Sequence, residues 1–146
     1  MSASHATGAV SLALAQASAA VAAARAAPLS VKKAWLAALL VDAAADALFA
    51  ARHGGRGEDI LAFRAGLAAQ CAALGLVFGV AGRTLQLVTE AVEVPVRDYP
   101  ALGVEDFMVS LYNGQTVPRV RVALPDGGRA DVHEALAAAA AFLAGV

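Results

Sequence analysis

Apolar residues recur at helical spacing through the first half of the chain and at strand spacing through much of the second, with the change near Gly75. From Thr7 to Ala27 most positions are Ala, Val, Leu or Ser. That run predicts a helix stopped by Pro28, since proline removes an amide donor and pushes its predecessor out of helical geometry. Residues 1–7 are expected to be a frayed tail. Ser30 is placed to cap a second helix from Val31 to about Arg52, and the glycines of "HGGRG" supply its stop. Glu58 and Asp59 put negative charge where the macrodipole of a third helix favours it, and that helix is expected to run to about Leu74.

Beyond Gly75, "LGLVFGV" and "TLQLVTEAVEVPV" read as strands around a tight "AGR" connection, although the first segment fits the end of the third helix equally well. Leu85 and Leu87 share one parity whereas Val92, Val94 and Val96 share the other, which predicts a bulge near Thr89 to Ala91. "RDYPALGVED" is a loop. The strongest local signal is Asn113-Gly114, because a two-residue turn with positive φ at both positions closes a hairpin over residues 107–124. In that register Phe107, Val109 and Leu111 share a face with Val120, Val122 and Leu124. Met108, Ser110, Tyr112, Arg119 and Arg121 are left together on the other. "PDGG" makes a further turn, and Asp131 and Glu134 have capping-box spacing at the start of a C-terminal helix. The fold class is therefore α+β: three N-terminal Ala-rich helices packed on a small antiparallel sheet, closed by a C-terminal helix.

The 146 residues suit one domain spanning 1–146 with its own core. A hydrophobic content of 60% and a mean hydropathy of +0.65 suggest a membrane protein at first sight. Alanine changes that picture, because it raises the average while carrying little transfer energy per side chain. The first charge-free stretch is poor in Leu, Ile and Phe, and the second is broken by Gln70 and several glycines. No membrane association is expected, and a cytoplasmic location is. A net charge of −1 gives no global electrostatic footprint for nucleic acid. One cysteine excludes an internal disulfide or a Cys-based zinc cluster.

Three places hold candidate chemistry. Asp42, Asp46 and His53 fall within roughly 40° of one another on a helical wheel, together with Trp35 and Phe49. Two carboxylates one turn apart repel, so this line calls for cations, shared protons or a metal. Arg25, Lys32, Lys33, Arg52 and Arg64 are available partners, and the paired Glu-x-x-His pattern of helical-bundle metal sites is absent. Neither a metal nor a cofactor is expected. His133 reads as an exposed residue of a capped helix rather than a general base, and Cys71 as a small buried hydrophobe.

The second place is the sheet face with Met108, Ser110, Tyr112, Arg119 and Arg121, a combination suited to docking a partner or an anion. The third, "GVAGRT", resembles the end of a phosphate loop, but it has Val77 where the first glycine is required and Arg83 where lysine is. It is rejected. With no nucleophile, base and orienter in reach of one another, the reading is a non-catalytic interaction or assembly protein working as a homo-oligomer, with homodimerisation through the first helices and a protein partner possible. The competing readings are a small-ligand or metal-binding enzyme, with Asp42, Asp46, Tyr112 and Arg119 in a pocket between helices and sheet, and an accessory subunit of a larger enzyme.

Overall fold

The computed structural model describes residues 3–53, 59–93 and 116–146 of the chain. Its described elements run α1 (Ala3–Ala26), α2 (Val31–His53), α3 (Ile60–Gln70), α4 (Ala72–Ala81), β1 (Gln86–Glu93), β2 (Thr116–Ala123), β3 (Arg129–Asp131) and α5 (Val132–Gly145). The α+β class is as expected, with helices preceding the sheet and one following it.

Local chemistry sets most helix ends. The first helix stops before Pro28, although it begins at Ala3 rather than Thr7. Ser30 Oγ accepts from the Lys33 amide at 3.1 Å and Asp59 from the Leu61 amide at 2.9 Å, so α2 and α3 start where their capping residues stand. Asp131 accepts from the amides of His133 and Glu134 at 2.8 and 3.0 Å, and Glu134 adds charge in the first turn of α5. Between β2 and β3, the "PDGG" turn places Gly127 at φ +88°, a conformation open to glycine without a Cβ clash.

Packing decided what these signals did not. "LGLVFGV" is helical: it lies in α4, where Leu74, Val77 and Val80 recur at helical spacing and are buried in the core. The third helix ends early, at Gln70, because Cys71 is extended (φ −139°, ψ 100°) and the chain resumes in a new direction. Neither glycine nor proline marks this break. Cys71 is half-buried against the core cluster.

Helices α1 and α2 form a hairpin through a short turn, with Ala17 and Ala24 on one helix and Ala34, Ala37, Ala38 and Ala45 on the other essentially inaccessible. Methyl-on-methyl contact lets the axes approach closely, but alanine brings little apolar area. The larger contributions come from Val41, Leu74, Val77, Leu136 and Leu143, each worth about 1.5–3 kcal/mol when fully buried.

The three described strands are antiparallel in the order β1-β2-β3. Pairing of β1 with β2 runs unbroken from Gln86 with Ala123 to Glu93 with Thr116. The expected bulge at Thr89 to Ala91 is therefore absent from this ladder, and the parity switch has another outcome. Leu87, Val120, Val122 and Ala130 share the face that joins the helical core, while Val117, of the opposite parity, is buried on the other side. The first strand and turn of the expected hairpin, 107–115, lie outside the described residues. Its second strand is β2.

Candidate functional site

The aspartate line resolves into an ion-pair clamp. Arg64, on α3, donates from Nη2 to Asp42 Oδ1 and from Nη1 to Asp46 Oδ1 at 2.8 Å, while its guanidinium carbon lies 4.0 Å from the centre of the Phe78 ring on α4. One planar fork thus answers both carboxylates of α2 and holds three helices together. Burial works against the Arg64 charge, but the hydrogen bonds and charges of Asp42 and Asp46 outweigh it and leave its pKa above the ordinary arginine value. A raised cation pKa means the stabilisation is fully present below the ordinary value and is lost only above the folded one. The clamp therefore persists through alkaline conditions.

His53 does not join the carboxylates. Its ring packs 5.0 Å from Phe49 and 5.5 Å from Phe63 between centroids, closing an aromatic cluster between α2 and α3. Among the described residues, no three of His, Cys, Asp and Glu gather as metal ligands.

His133, expected to be solvated, has a structural bond: its Nε2 donates to the Pro28 carbonyl at 3.0 Å. The start of α5 is thereby tied to the turn between α1 and α2. The sequence offers no signal for this contact, since the partners are 105 residues apart.

On the outer sheet face, Arg119 stands opposite Glu90 in register and donates from Nη1 to the Pro118 carbonyl at 3.0 Å. Glu90 instead accepts from Arg129 Nε at 3.3 Å. Arg121 is half-buried on this face, its Nε buried. Both expected arginines therefore lie on one face of β2, as alternation requires, whereas Met108, Ser110 and Tyr112 lie outside the described residues.

Two further features fall in regions the sequence pointed to, the first helices and the junction of helices and sheet, but on residues it did not name. The first is the outward face of α1. Gly8, Leu12, Ala15, Ala19 and Ala26 are all exposed and fall within roughly 60° of one another, opposite the buried Ala17 and Ala24. Before Arg25 the helix carries no Asp, Glu, Lys or Arg.

The second is a cleft between the start of α2, the end of α4 and the start of β1, the kind of place where a helix-and-sheet pocket was expected. Asp42, Asp46 and Arg119 are not among its lining residues; Lys32, Trp35, Arg83 and Gln86 are. Arg83 has φ +61°. A non-glycine residue there costs roughly 1–2 kcal/mol, although Gly82 stands next to it in the chain. Its guanidinium lies 4.4 Å from the Trp35 ring centre. The sequence clue to this corner was the glycine-rich "GVAGRT", taken only as a turn.

Comparison with protein-family models, with curated proteins and with solved structures returned no match.

Proposed function

We propose that the chain is a cytoplasmic, non-catalytic assembly protein that works as a homo-oligomer, with the outward face of α1 as its self-association surface. The observation that carries this reading is the mismatch between composition and position. Over Thr7–Ala26 only Ala17 and Ala24 are buried, yet before Arg25 the helix lacks the charged outer face that a solvated surface helix normally has.

The character of that face favours a second protein helix over lipid. Its stripe is mostly Gly and Ala, with Leu12 as the large apolar side chain, so it offers little transfer energy to a bilayer. Small side chains instead permit close approach of another helix, where many weak dispersion contacts add. The opposite face of α1 already packs this way, with Ala17 and Ala24 buried against the alanines of α2. The outward face repeats the same chemistry.

Native mass spectrometry and light scattering across a concentration series test the proposal. The expected result is an oligomer in the wild type and a monomer with unchanged helical content in the Ala15→Glu, Ala19→Glu double variant. A wild type that stays monomeric at every concentration, or a double variant with an intact oligomer, rejects the surface. Co-sedimentation of the wild type with phosphatidylcholine vesicles would assign the face to a bilayer instead.

A further inference from the structure

The cleft between α2, α4 and β1 has a volume of about 570 Å³, within the range of small-molecule sites. Val80, Leu85 and Leu87 give it apolar walls, and Lys32, Arg83 and Gln86 bring polar groups to it. No Asp or Glu is among the described lining residues, and neither cation is ion-paired among the described residues. The first turn of α2 contains Lys32 and Lys33 and no acid, so two like charges stand at the positive end of a helix macrodipole. In a chain of net charge −1, this corner is a local positive site.

Arg83 gives the site a fixed element. Its left-handed backbone and its stacking on Trp35 hold the guanidinium at the cleft rather than leaving it on a free arm. The backbone amides nearby are already used. Gly82, Arg83, Thr84 and Leu85 donate to the carbonyls of Phe78, Val80, Gly79 and Gly79 respectively, which closes α4. An anion here is therefore met by side chains and not by the amide cradle that phosphate sites use.

We propose that this cleft binds a small amphipathic carboxylate in free solution. The carboxylate lies between Lys32 and Arg83 with Gln86 as a further donor, and the apolar body rests against Val80, Leu85 and Trp35. The site is independent of the assembly surface, since none of its described lining residues is on α1.

Trp35 is the one tryptophan in the chain, so its emission reports the cleft directly. The probe is decanoate, with 1-decanol as the neutral analogue, and equilibrium dialysis supplies an independent readout. The expected result is a saturable emission change with decanoate and binding about tenfold weaker or worse for 1-decanol. Arg83→Gly and Lys32→Gln should each weaken decanoate by about tenfold or more while thermal unfolding remains cooperative. Arg83→Gly removes backbone strain, so its folding is not at risk. Absence of saturable decanoate binding to the wild type by both readouts overturns the proposal. So does equal binding of 1-decanol, or decanoate affinity unchanged in both variants.

Discussion

Helices α1 and α2 are drawn from nearly the same residues, have 24 and 23 residues, and lie against each other, yet they do opposite work. In α2 eight of the 23 residues are buried, and its aspartates are answered by Arg64. In α1 only Ala17 and Ala24 are buried over residues 7–26, and before Arg25 its outward face carries no charge to answer. Hydrophobic content is thus a poor guide to burial in an Ala-rich chain. Position in the packing decides whether an alanine is core or surface, because its small methyl group suits either.

The comparison breaks most visibly if a large side chain is forced into each helix. Ala38→Leu, at a fully buried position of α2, should destabilise by about 3 kcal/mol in urea denaturation, since a close-packed methyl contact has no room for a larger group. Ala19→Leu on the outward face of α1 should change stability by less than about 0.5 kcal/mol. Equal effects would mean that α1 is as buried in solution as α2.

Next in size is the clamp. Arg64→Ala leaves the half-buried Asp42 and the exposed Asp46 one turn apart with no shared cation and should cost about 1.5 kcal/mol in the same assay. Arg64→Lys should recover only part of this, because a point charge cannot serve two carboxylates as a fork does. Full recovery would show that charge alone holds the helices. Arg83→Gly should act in the opposite direction, raising stability by about 1 kcal/mol through release of the left-handed backbone. The smallest effect on stability belongs to Ala19→Glu, expected within about 0.5 kcal/mol of wild type. Its consequence should be read instead in oligomer mass.

Legibility followed distance along the chain. The caps by Ser30 and Asp131, the charge of Asp59 at the start of α3 and the turn at Gly127 were readable because each acts within a few residues. The aspartate line was readable as a demand for cations, and Arg64 stood among several possible partners. Choosing it depended on how α3 packs on α2, since the partners are 18 and 22 residues apart. The segment around Leu74 to Val80 supports strand alternation and helical spacing alike, and burial against α2 and α5 selected the helix.

By itself, then, the sequence determined the α+β class, with helices before the sheet and one after it, and most helix starts, because capping, proline and turn chemistry act locally. Tertiary structure decided the break at Cys71, the fork of Arg64 on two carboxylates, the tie from His133 to Pro28 and the place of Arg83 over Trp35. Each of these needs two elements to meet at a particular angle. That angle is set by the packing of the whole core, which no short stretch of sequence encodes.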